Sequence, residues 1–351
     1  MRPSVRDIYR ETCYVYATRA EEIARKEGHK RLARLASNEN PFPLSTNARA
    51  EAVRALDEVH RYPPEYHTRL TELLVEKFSW NPVVVGNGMD GIIETVIRTL
   101  IEPGDKVVIS EPTFSFYRVA AAAQGGDVIS VRREKDFSVD VPEFIHSCRQ
   151  AKLAFLCTPN NPTGNLTSRE DVKKILDSTD SLLFLDNAYI EFADTDYCDL
   201  MKEYDHLVIG RTMSKVYSMA GMRLGYAFVP TWLEPCYHRA STPFAVNRVT
   251  AAAAVGALTD LDHVRRIREH AIRWRARFKD EVKFRTFPSQ ANFILIDTAP
   301  HKGNAMMEQL ARKGVLVRSC DSFPGLGDHY IRVNIGEDWE NELFLQEINA
   351  V

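Results

Sequence analysis

Arg211-Thr-Met-Ser-Lys-Val-Tyr-Ser-Met-Ala-Gly-Met-Arg223 follows a short apolar run, Leu207–Gly210, that reads as a buried strand. Two hydroxyls, an amine and a guanidinium then crowd one segment: Thr212, Ser214, Lys215 and Arg223, with a turn at Ala220-Gly221. The same pattern recurs upstream. Leu182–Asp186 is an apolar run ending in a carboxylate, and Asn187, Ala188 and Tyr189 follow it. Leu153–Cys157 leads into Thr158-Pro-Asn-Asn-Pro-Thr-Gly164. Further strand candidates are Val83–Val85, Lys106–Ser110, Asp127–Val131 and Leu224–Val229. Helical patterns between them cover Asp90–Ile101, Ser115–Gln124, Val141–Arg149 and Ser168–Ser178. Short apolar runs alternating with helices predict an α/β domain built on a mostly parallel seven-stranded sheet covered on both faces.

Beyond Pro230 the pattern changes. A long helical region from about Val246 to Phe278 precedes strand candidates at Ala291–Ile296, Val315–Val317 and His329–Asn334. Helices are expected at Asn304–Lys313 and Glu337–Glu347. This reads as a smaller α+β domain. The division expected is a large domain over residues 46–240, with residues 1–45 and 241–351 forming an N-terminal arm and the small domain.

Composition narrows the function class. A chain of 351 residues with a formal net charge of −3 carries no sign of a nucleic-acid or anionic-membrane partner. No apolar run approaches the ~20 residues of a membrane span. The six cysteines include no C-x-x-C pair, so a disulfide framework is not implied and a reducing, cytoplasmic setting is expected. No metal site is expected.

The polar groups after the strands fit one chemistry. An amine (Lys215), a buried carboxylate (Asp186), a phenol (Tyr189), an amide (Asn161) and a guanidinium (Arg223) are the set needed to hold and use pyridoxal phosphate. A lysine amine forms a Schiff base with the cofactor aldehyde, and a carboxylate keeps the pyridine nitrogen protonated. Tyr189 and Asn161 are candidates to bond the ring's 3-oxygen. Val83-Val-Val-Gly-Asn-Gly-Met-Asp-Gly91 matches G-x-G-x-x-G, with Glu111 further on, and so resembles a dinucleotide fingerprint. Backbone amides at a helix N-terminus bind any phosphate, however. Met89, Asp90 and Gly91 are read as amide donors to the cofactor phosphate, beside Thr212, Ser214 and Arg223. A dinucleotide reading leaves Lys215, Asp186 and Arg223 without a joint purpose. Phe114 suits stacking on the pyridine ring. Arg332, in an alternating strand, is read as a clamp for a substrate carboxylate or as an outward strand residue; Arg318 invites the same two readings.

These residues resemble a known family. Leu35-Ala-Ser-Asn-Glu-Asn-Pro-Phe42, Arg61-Tyr-Pro63, Gly86-Asn-Gly88, Asn160-Asn-Pro-Thr-Gly164, Asp186-Asn-Ala-Tyr-Ile-Glu-Phe192, Arg211–Tyr226, Ser289-Gln-Ala-Asn-Phe293 and Arg332 together look like a fold-type I pyridoxal-phosphate aminotransferase of the histidinol-phosphate aminotransferase group. The resemblance implies that fold, with Lys215 as the Schiff-base lysine and Asp186 as the partner of the pyridinium. It implies a homodimer in which Tyr62 reaches the cofactor phosphate of the neighbouring subunit. It implies Arg332 on the substrate α-carboxylate, and Tyr14 and Arg318 at the substrate's phosphate end. The chain departs from the family pattern at Gly91, at Asn187, at Phe114 and over Tyr14-Val-Tyr-Ala-Thr18, the last in the region that shapes the substrate pocket.

The activity expected is exchange between histidinol phosphate with 2-oxoglutarate and imidazole acetol phosphate with glutamate, as in histidine biosynthesis. An aromatic amino-acid aminotransferase and a phosphoamino-acid decarboxylase of the same fold are the near rivals. A nicotinamide-dependent oxidoreductase is the rival from another class.

Overall fold

The computed structural model describes residues 4–6, 8–11 and 18–351. Its centre is a seven-stranded sheet of β1 (Val83–Asn87), β2 (Lys106–Glu111), β3 (Asp127–Arg132), β4 (Leu153–Cys157), β5 (Leu182–Asp186), β6 (Leu207–Thr212) and β7 (Leu224–Phe228). The order across the sheet is β1-β7-β6-β5-β4-β2-β3. β7 runs antiparallel to both β1 and β6, and every other pair is parallel. Every residue of β4, β5, β6 and β7 is buried. Successive side chains of a strand point to opposite faces, so full burial means both faces are covered. That is why these strands read as unbroken apolar runs.

Parallel strands end at the same edge of the sheet, and the polar residues that close each run therefore converge there. β1 turns directly into the helix Gly88–Leu100, which buries Ile92, Ile93, Val96 and Ile97. Because β7 is antiparallel, its starting end, preceded by Arg223, meets the carboxyl ends of β1 and β6.

A second, antiparallel sheet runs Arg318–Ser319, Tyr330–Asn334, Phe293–Asp297, Arg285–Thr286. Ala33–Arg34 pairs in parallel with Val315–Leu316, joining the N-terminal segment to the C-terminal one. The helical region expected from Val246 to Phe278 is two helices, Arg248–Thr259 and Leu261–Glu281. The break has a local cause: Asp260 leaves helical geometry and caps the second helix, accepting from the His263 amide at 3.2 Å. Two further helices, Thr46–Ala55 and Thr68–Phe78, stand before β1. The first lies so close to Arg248–Thr259 that a Cβ on Gly256 would sit 2.5 Å from the Asn47 carbonyl oxygen.

Candidate active site

A cavity of about 390 Å³ opens at the carboxyl edge of the large sheet. Asp186, the last residue of β5, is 2 % exposed and lies at its floor. Its Oδ2 accepts from the Tyr117 hydroxyl at 2.5 Å, and its Oδ1 accepts from the Ala188 amide at 2.9 Å. Burial pushes the carboxyl up to about 6, while those two hydrogen bonds pull against it.

Lys215 enters from the loop after β6. Asn40 fixes its backbone, donating to the carbonyls of Lys215 at 3.0 Å and Val216 at 3.2 Å. The amine lies 5.6 Å from the centre of the Tyr189 ring. Burial first, and then the Arg332 charge, bring the amine down to about 8. At pH 7 roughly a tenth of such an amine is neutral, against less than a thousandth of an ordinary lysine. Tyr189 accepts at its hydroxyl from the Asn38 side-chain amide at 3.0 Å, and Phe293 meets its ring edge-on at 5.0 Å.

Arg332 projects into the cavity, not outward. Its Nη1 donates to Asn161 Oδ1 and its Nη2 to the Ala36 carbonyl, each at 2.6 Å. Nε is buried without a partner. Among the described residues no carboxylate pairs with this 6 % exposed cation, so a ligand anion is the natural counterion. Arg318 also lines the cavity, and its Nη2 donates to Ser322 Oγ at 3.1 Å. Phe114 lines the wall and meets Tyr117 edge-on at 5.5 Å.

The far end suits a phosphate. No side chain caps the helix Gly88–Leu100; the Gly88 amide donates to the Arg223 carbonyl at 3.0 Å, and the amides of Met89 and Asp90 are left for a ligand. Arg223 spans this end, donating to Asp90 Oδ2 at 2.8 Å. Gly88 holds φ +70°, and a Cβ there would lie 2.6 Å from Arg223 Nη2. The Thr212 hydroxyl donates to the Leu224 carbonyl at 3.3 Å and accepts from the Ser214 amide at 3.1 Å. An uncapped helix start, a bridging guanidinium and two hydroxyls at one end, with an amine and a buried carboxylate at the other, fit pyridoxal phosphate in charge and reach. The volume falls in the range of ligand pockets.

Of the candidate residues, Tyr62 stands apart: it is 76 % exposed and stacks on Phe244 at 4.5 Å. Tyr14 lies outside the described residues. Sequence reasoning gave no role to Tyr117, Asn38 or Asn40. The two asparagines stand in Ser37-Asn-Glu-Asn-Pro41, where paired amides before a proline are a usable signal. Tyr117 follows Phe114 by one helical turn and carries no signal beyond that spacing. Among the described residues no cluster of His, Cys, Asp and Glu could hold a metal ion, and no helix is long and apolar enough to cross a membrane.

The family model for aminotransferase class I and II matches residues 30–348. The histidinol-phosphate aminotransferase of Methanoculleus marisnigri is 59% identical over 349 residues, covering 99% of each chain. That of Methanosphaerula palustris is 54% identical over the full length of both. Among solved structures, the histidinol-phosphate aminotransferase from Sinorhizobium meliloti in complex with pyridoxal-5'-phosphate superposes with a TM-score of 0.89 at 23% identity, covering 100% of this chain and 99% of that one.

Proposed function

The chain belongs to the class I and II aminotransferases, and from that premise we propose that it moves an amino group between histidinol phosphate and 2-oxoglutarate with pyridoxal phosphate as cofactor. The observation that carries the chemistry is the meeting of a partly neutral Lys215 amine and a buried Asp186 carboxylate in one cavity. The substrate rests on relatives of that name, identical at more than half of all positions over the whole chain. No feature of the cavity favours a nicotinamide cofactor over this reading.

The cofactor supplies an aldehyde that takes up amino groups and a ring that draws electrons from the substrate's α-carbon. The chain supplies the rest. Thr212, Ser214, Arg223 and the amides of Met89 and Asp90 hold the phosphate. Asp186 would face the ring nitrogen and, as a carboxylate in a dry site, favour its protonated form. Tyr189 and Asn161 hold the 3-oxygen, and Phe114 packs on the ring. Arg332 binds the substrate carboxylate of the 2-oxo acid, its guanidinium already held by Asn161 and Ala36. Lys215, with an amine that ionises near working pH, would take the proton from the substrate's α-carbon and deliver it to the cofactor carbon on the far side of the amino nitrogen. Arg318 and Tyr14 are assigned to the substrate's phosphate.

The reading includes a homodimer. Val53, Leu56, Val59 and Tyr62 are all more than half exposed along Thr46–Glu58 and just past it, which leaves an apolar stripe for a second copy. A groove of about 1000 Å³ runs from Tyr66 and Phe244 to Asp90 and Arg223, so a partner's Tyr62 has a route to the phosphate end.

The test is a comparison of kcat/KM for histidinol phosphate and phenylalanine as donors to 2-oxoglutarate, on protein that sediments at twice the chain mass. A preference for histidinol phosphate of at least a hundredfold is expected. A preference for phenylalanine, release of carbon dioxide, or an active monomer contradicts the proposal.

A further inference from the structure

Behind the cavity floor lies a buried column with no role so far. Tyr117 is fully buried, its ring stacked on Phe155 at 4.7 Å and 6° and edge-on to Phe114. The ring is locked on both sides, so its hydroxyl has one fixed direction, toward Asp186 Oδ2. Arg133 is also buried, 5 % exposed, and its charge acts on Tyr117. Its Nε donates to the Ser110 carbonyl at 3.2 Å and its Nη1 to the Phe137 carbonyl at 3.1 Å. Its Nη2 has no partner, and no described carboxylate pairs with it. A guanidinium desolvated without a counterion is expensive, and its field falls on the Tyr117 phenol and the Cys157 thiol.

The other groups facing Asp186 act in both directions. Lys215 favours the carboxylate and Asp90 opposes it, while the Ala188 amide fixes the second oxygen. Cys157, beneath, is held as a thiol by burial and donates to the Pro159 carbonyl at 3.3 Å. Tyr117 is thus the side chain that both orients this carboxylate and supports its charge.

We propose, building on the reading of this cavity as a pyridoxal phosphate site, that Tyr117 is a positioning residue: its hydroxyl aims Asp186 at the ring nitrogen and keeps it ionised. Tyr117→Phe removes that oxygen and leaves both ring contacts. Without the donor the carboxyl protonates more readily, and a neutral acid holds a protonated ring nitrogen poorly.

The experiment is titration of cofactor-free protein with pyridoxal phosphate for the parent, Tyr117→Phe, Asp186→Asn and the double variant. Tyr117→Phe should raise the Kd by roughly ten- to a hundredfold, the worth of a hydrogen bond to a charged group. In the Asp186→Asn background the same change should cost less than about twofold, because the two act as one unit. Infrared difference titration of the Asp186 carboxyl should show its protonation moving to higher pH in Tyr117→Phe. Equal affinity of Tyr117→Phe and parent, an undiminished cost in the Asp186→Asn background, or an unmoved carboxyl titration overturns this inference alone. A parent chain with no affinity for pyridoxal phosphate overturns the reading of the cavity along with it.

Discussion

Asp186 is held in the fold at a cost. Its carboxyl protonates at about 6, against 3.8 for an ordinary aspartate, because desolvation outweighs the hydrogen bonds from Tyr117 and Ala188. That gap corresponds to roughly 3 kcal/mol. The sign follows from proton counting: between the two values the folded chain binds the proton more tightly than the unfolded one. The penalty is therefore complete above pH 6 and fades as the pH falls toward 4. Asp186→Asn should raise the melting temperature of cofactor-free protein at pH 8, and the advantage should shrink toward pH 4.5. A variant equally or less stable than the parent at pH 8 would contradict this. Lys215, Asp186 and Asn161 were legible because each closes or follows an apolar run, and the structure places all three on one cavity. Tyr117 was not legible, since its meaning comes from a contact with the end of a strand far along the chain.

At the scale of elements, the start of the helix Gly88–Leu100 carries the phosphate end. Gly88 holds φ +70°, a conformation costly for any residue with a Cβ, and its missing side chain leaves room for Arg223. Gly88→Ala should weaken pyridoxal phosphate binding at least tenfold, measured by titration of cofactor-free protein. Binding of pyridoxal, which lacks the phosphate, should change much less. Equal losses for both would show that the substitution disturbs the whole cavity. The strands of the large sheet lie where the apolar runs predict, to within a residue or two at each end; for β4 to β7, burial on both faces leaves that signal unbroken. Weaker signals hid other elements. The helix Thr46–Ala55 buries only the small Ala48 and Ala52 and turns Val53 outward, so no large apolar residues mark its buried face. Ala33–Arg34 is a strand by virtue of a partner at Val315–Leu316, which no local window contains. The sequence pattern carries one long helix through Asp260 because apolar residues resume just after it.

For the whole molecule, topology does the gathering. A mostly parallel sheet brings Asp90, Asn161, Asp186 and Lys215 to one edge, and the smaller sheet contributes Arg332 and Arg318 from across the cavity. The order of the strands was not readable from the sequence, because it depends on pairing between distant segments. The convergence at a single edge was readable, because parallel strands share their carboxyl ends. At this edge the cofactor is expected to be held on Lys215. Borohydride reduction of the pyridoxal phosphate-loaded protein, followed by digestion and mass mapping, tests it most directly. One phosphopyridoxyl group per chain is expected, on the peptide containing Lys215, and none in Lys215→Ala. A label on another lysine, or no label in protein that binds the cofactor, would contradict it.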